Sequence, residues 1–215
     1  RFPSEDELKL FSLNMAKERF LTERTIKILK DIPSKDVMNR IQIGLALLYG
    51  NDENPDNLDS FENFLKSIRI LAKLPLIIAY SYLFISKENP TIVESDLSMS
   101  QAESFLHILF EGQSVEPLIK KVMDLSLVLH AEHGGGNNST FTTYVVTSSG
   151  SDIYSTTSAS VASLKGPLHG AANRKVMVMM NDIKENVQNW EDEEKVSEYL
   201  RQILRKKAGD KSGKI

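Results

Sequence analysis

Apolar residues recur along this chain at intervals of three and four. Val37, Met38, Ile41, Leu45 and Leu48 form one stripe, and Leu118, Val122, Leu125 and Leu129 form another, the spacing that gathers side chains on one face of a helix. Polar punctuation marks the ends of these runs. Ser4 and Glu7 form a capping box ahead of Leu8, Phe11, Leu13, Met15 and Phe20. A short helix is expected over residues 22–30, closed before Pro33, and Ser34 is the expected N-cap of a helix over 35–49. Residues 50–57, rich in Asn, Asp and Pro, read as a loop. One long helical region follows over 58–86, which Pro75 should kink or divide because proline has no amide hydrogen and crowds the preceding turn. After a connector at 89–96, Ser98-Met99-Ser100-Gln101 offers a second capping box for a helix carrying Phe105, Leu106, Leu109 and Phe110, stopped by Gly112.

The helix from Glu116 delivers His130 and His133 at its C-terminal end. Two further helices, over 139–148 and 152–164, meet around Gly150; their Thr, Ser and Ala residues permit close packing, although the β-branched ones are equally compatible with strands. Helices over 168–187 and 191–206 close the chain, the last with an acidic first turn and a basic last turn that complement its dipole. With no strand alternation elsewhere and no internal repeat, the fold class is all-α and multi-helical.

Composition narrows the function classes. The 215 residues are 41% hydrophobic and 26% charged, as in an ordinary globular protein with a sizeable core. A net charge of -3 gives no basic excess to drive counterion release, so nucleic acid is not an expected partner. The absence of cysteine excludes disulfides and thiolate metal sites and fits a reducing compartment. The apolar run from Leu74 to Ile85, broken by Pro75 and Ser81, is too short to span a bilayer and reads as a buried helix. No targeting segment is visible, and the expected location is cytoplasmic, with no membrane partner. The start at Arg1 without Met and the end at Ile215 straight after a loop are expected of a cut chain.

Chemistry concentrates between His130 and Asn173, which holds three of the four histidines. His130, His133 and His169 could in principle ligate a metal, but no carboxylate partner is evident beyond Glu132, which points elsewhere on the helix. His130 alternatively reads as a buried histidine bonded to backbone. Gly134-Gly135-Gly136 suits a helix that must stop and let backbone approach closely, yet it lacks the Lys and Ser or Thr of a phosphate loop. Asn137 and Ser139 stand at the next helix start, where an anion would find free amides; simple capping explains them too. In Gly166-Pro167-Leu168-His169-Gly170, His169 falls in an expected first turn, whose dipole favours a neutral imidazole able to donate one hydrogen bond to a developing enolate oxygen. A surface histidine in a turn is the plainer alternative.

His130-Ala131-Glu132-His133, the glycines with Asn137, and Gly166-Pro167-Leu168-His169-Gly170-Ala171-Ala172-Asn173 resemble the two signature segments of the citrate synthase family, at matching separation. Residues 3–11, Ala72-Lys73-Leu74-Pro75 and residues 100–110 are similar to the family's large-domain helices, so the resemblance covers essentially the whole chain. It implies an enzyme that condenses oxaloacetate with acetyl-CoA, releasing citrate and CoA. No metal or tightly bound cofactor is implied; acetyl-CoA is the co-substrate. His169 is then the catalytic donor to the thioester carbonyl, His133 and Asn137 lie in the oxaloacetate pocket, and His130 is structural support. Residues 1–169 are expected to be a large dimerisation domain, incomplete, and residues 170–215 the beginning of a small domain in a homodimer. The family's second catalytic histidine, its catalytic aspartate and its carboxylate-binding arginines are expected beyond Ile215, so these residues alone are not expected to catalyse condensation. A 2-methylcitrate synthase using propionyl-CoA, or a non-catalytic helical oligomerisation module of the same fold, are the alternatives.

Overall fold

The computed structural model describes residues 2–132, 134–170 and 172–211. Among them are α-helices and no strand, as the periodicity requires: α1 (Glu5–Glu18), α2 (Glu23–Asp31), α3 (Val37–Leu47), α4 (Ser60–Ser86), α5 (Gln101–Leu109), α6 (Pro117–Leu129), α7 (Asn138–Ser148), α8 (Ile153–Lys165), α9 (Ala172–Asn186) and α10 (Glu193–Leu204), with one 3-10 turn at Tyr49–Asn51. The β-branched residues of α7 and α8 are accommodated in helices, some by returning a hydroxyl to the carbonyl four residues earlier, as Thr142, Thr143 and Thr157 do.

Local chemistry sets most boundaries. The capping box at Ser4 and Glu7 is present. The second box lies two residues later than expected: Ser100 caps α5 and Glu103 returns the bond, while Ser98 bonds Asp96 instead. Asp36, not Ser34, caps α3, because its carboxylate reaches the Asn39 amide, and the Ser34 hydroxyl accepts from Asp36 N–H. Pro75 does not divide α4, which runs 27 residues without a break. The carbonyl that Pro75 cannot satisfy is that of Leu71, and Gln101 Nε2 donates to it at 2.5 Å. A tertiary partner thus replaces the lost ladder bond.

The chain divides into two compact units, Arg1–Ser163 and Leu164–Ile215. In the first, α4 is the axis. By length and composition alone it could cross a membrane. Its Ile70 and Ile77 pack with Leu29, Ile41, Leu45, Leu48 and Tyr154, while Leu76, Ala79, Tyr80 and Leu83 pack with Ile108. Several cations are buried beside this core, each donating to main-chain carbonyls at helix ends or in loops. Arg40, 3% exposed, donates to the carbonyls of Leu29, Ile32 and Ser34 at and after the end of α2. Lys66 Nζ donates to Pro55 O and Asn57 O at 2.8 and 2.7 Å. Lys73 Nζ donates to Glu18 O and Phe20 O and lies 3.9 Å from the centroid of the Phe20 ring. Burial pushes its ammonium pKa below the ordinary value, and the nearby Glu18 carboxylate only partly offsets this. In the second unit, Ile183, Val187 and Ile203 join α9 to α10 in a smaller core.

Candidate functional site

The two motif segments are positioned by helix endings. α6 stops at Leu129, so His130 is its C-cap and the face that His130 and His133 would share does not continue. His130 Nδ1 lies 2.7 Å from Ser126 O, which fixes the proton on Nδ1 because a carbonyl can only accept. The expected backbone bond is therefore present, but the ring is exposed rather than buried, since α6 itself buries no residue. His133, the expected oxaloacetate ligand, lies outside the described residues. On either side of it, the Glu132 carboxylate accepts the Gly134 N–H. Gly134 takes φ +83°, a region that favours glycine, whereas a Cβ at Gly135 or Gly136 would meet nothing within 4 Å. Of Gly134, Gly135 and Gly136, Gly134 is the one whose backbone conformation calls for glycine.

Asn137 caps α7. Its Oδ1 accepts from Thr140 N at 3.0 Å, and its Nδ2 donates to Thr140 Oγ1 at 2.9 Å and towards Gly134 O at 3.4 Å. Ser139 Oγ donates to Ser160 O at 3.0 Å, and Asn138 Nδ2 to Ser163 Oγ at 2.9 Å, so the first turn of α7 is stitched to α8. Thr140 and this seam were missed by sequence reading; β-branched residues at 140, 143 and 157 were the signal, but they gave no indication of partners.

His169 does not lie in the first turn of a helix. Residues 166–170 close a turn of their own, in which the amides of His169 and Gly170 both donate to Gly166 O, at 3.0 and 3.2 Å, and α9 starts at Ala172. His169 is half-buried and Leu168 fully exposed. A Cβ at Gly170 would sit 2.0 Å from Leu164 O, so the turn folds back on the end of α8 as only glycine allows.

A separate polar pocket in the first unit is lined by Glu18, Asp52, Glu53, Glu62, Arg69 and Lys73 among others, and none of the described motif residues lines it. Its charges are largely paired internally. Arg69 Nη1 lies 2.7 Å from Asp52 Oδ2, which also accepts from the Tyr154 hydroxyl at 2.6 Å. Burial, then the bond to Asp52, holds the Tyr154 phenol well above its usual value. Among the described residues no cluster of three or more His, Asp or Glu could hold a metal ion.

Comparison with known proteins supplies the remaining evidence. The family model described as citrate synthase, C-terminal domain, matches residues 1–213. Citrate synthase 2 of Bacillus subtilis is 35% identical over 210 residues, covering 96% of this chain and 53% of the relative. The 2-methylcitrate synthase of Mycobacterium tuberculosis is 35% identical over 194 residues, covering 87% of this chain and 47% of the relative. The crystal structure of citrate synthase from Pyrobaculum aerophilum superposes with a TM-score of 0.79 at 28% identity, covering 95% of this chain and 50% of that one. The chain thus spans about half the length of the curated relatives it matches.

Proposed function

The chain belongs to the citrate synthase family, a family of acyltransferase-type enzymes, and we propose that the protein condenses oxaloacetate with acetyl-CoA and water to give citrate and CoA. The observation that carries this reading is the pair of signature segments within one chain that the family model matches almost end to end. His169, on its glycine-closed turn, donates a hydrogen bond to the thioester carbonyl oxygen while a base removes a proton from the methyl group, and the bond strengthens as negative charge develops on that oxygen. The enol carbon then attacks the oxaloacetate ketone, and hydrolysis of the thioester releases CoA. His133 and Asn137 belong to the oxaloacetate pocket.

None of the motif residues supplies the base or the arginines that would pair with the carboxylates. Residues 1–169 act as the large domain and residues 170–215 as the start of the small one, and the 215 residues alone do not turn over. The protein works as a cytoplasmic homodimer; Phe141, Tyr144 and Val145, exposed on α7, support a covered face there. A second reading, 2-methylcitrate synthesis from propionyl-CoA, is favoured by relatives of that name at equal identity.

The test is CoA release by the protein expressed through its natural C-terminus, given oxaloacetate with acetyl-CoA or propionyl-CoA separately. Preference for acetyl-CoA is expected. Preference for propionyl-CoA moves the reading to 2-methylcitrate, and no release with either leaves a non-catalytic helical module.

A further inference from the structure

An asparagine carboxamide has two N–H hydrogens and one carbonyl oxygen. In Asn137 both hydrogens are directed within the chain, to Thr140 Oγ1 at 2.9 Å and to Gly134 O at 3.4 Å, while the oxygen accepts Thr140 N–H at 3.0 Å. The ketone and carboxylates of oxaloacetate can only accept, so Asn137 held in this way has no hydrogen to give them. Thr140 takes both ends of the amide. Behind it, Asn138 and Ser139 fasten the same turn to Ser163 and Ser160 of α8.

We propose that Thr140 is a positioning residue: it locks the Asn137 carboxamide so that Asn137 holds the glycine loop following His133 in register with α7, and acts on the substrate through that loop rather than by direct contact. The role rests on the condensation reading given above. The bonds themselves do not.

Two substitutions separate the terms. Thr140→Val keeps the shape and the amide bond to Asn137 Oδ1 but removes the hydroxyl acceptor; Thr140→Ser keeps both. In the 215-residue chain, Thr140→Val should speed amide hydrogen exchange at residues 134–136 roughly tenfold, while Thr140→Ser stays near wild type, with α8 unchanged in both. In the protein expressed through its natural C-terminus, Thr140→Val should raise KM for oxaloacetate by roughly 3- to 10-fold, the loss expected for one hydrogen bond, with kcat little changed and Thr140→Ser rescuing it. Unchanged exchange in Thr140→Val overturns the brace. Faster exchange with unchanged KM overturns the positioning role, as does a raised KM in Asn137→Ala that Thr140→Val does not share, which would mark Asn137 as a direct ligand. A wild-type protein that releases no CoA removes the reaction and this role with it, while the exchange result still decides the brace.

Discussion

α4 and α7 lie in the same unit but are held by different forces. α4 buries residues from Lys66 to Leu83, including Ile70, Leu76, Ile77, Tyr80 and Leu83, whereas α7 buries none and is fastened by hydroxyl and amide contacts to α8. A fully buried Leu or Ile contributes about 1.5–3 kcal/mol, while a net intramolecular hydrogen bond contributes about 0.5–1.5 kcal/mol. The core is therefore the stable part of the unit, and the segment carrying Asn137 is drawn from its more easily opened end, where binding loops belong. Polar groups matter in both regions, but in different ways: around α4 buried cations donate to main-chain carbonyls, while along α7 hydroxyl and amide bonds are the main attachment.

The largest expected effect is at Arg40. Arg40→Met leaves the carbonyls of Leu29, Ile32 and Ser34 without their donor and should cost about 3 kcal/mol in urea unfolding. A loss below about 1 kcal/mol would show that buried cations are incidental to this core. Next comes the Gln101 bond to Leu71. Gln101→Leu should cost about 1–2 kcal/mol in the wild-type background and almost nothing alongside Pro75→Ala, because an alanine amide restores the ladder bond. Equal costs in the two backgrounds would disprove the compensation.

A smaller effect is expected at acid pH. Burial alone would raise the Asp52 carboxyl, but the bond from Tyr154, the Asn54 amide, and the charges of Arg69 and Lys66 together depress it. With the folded pKa below the unfolded one, its contribution is present above about pH 4 and lost as pH falls through the folded value. Asp52→Asn should flatten the acid limb of stability against pH, and superimposable limbs would sink the idea. The smallest change is expected on α8, where Thr156 Oγ1 is buried without a hydrogen-bond partner. Thr156→Val should leave thermal stability within about 0.5 kcal/mol of wild type or raise it slightly. A clear loss would mean that this hydroxyl belongs to the seam after all.

The helices were legible because apolar period and capping chemistry are local. Ser4 with Glu7, and the stripe through Ile41, Leu45 and Leu48, predict elements that the structure contains. Errors arose where several polar residues compete for one cap: Ser34 and Ser98 sit beside better-placed acceptors at Asp36 and Ser100. Among the motif glycines, Gly134 and Gly170 are required by the structure, but not for a common reason. Gly134 needs its backbone angle and Gly170 needs the space beside Leu164. His169 stands ahead of α9 rather than in its first turn: Pro167 resembles a helix entry, whereas the amides of His169 and Gly170 are both spent on Gly166 O.

By itself the sequence determined the all-α class, most helix spans and the two segments on which the family resemblance rests, since each depends on residues within a few positions of one another. Tertiary structure decided what those segments are fastened to. Gln101 is 30 residues from the carbonyl it rescues, Ser139 is 21 from Ser160, and Tyr154 is 102 from Asp52. Pairings of that range depend on how helices pack, and a hydroxyl or amide in the sequence carries no mark of which distant carbonyl will need it.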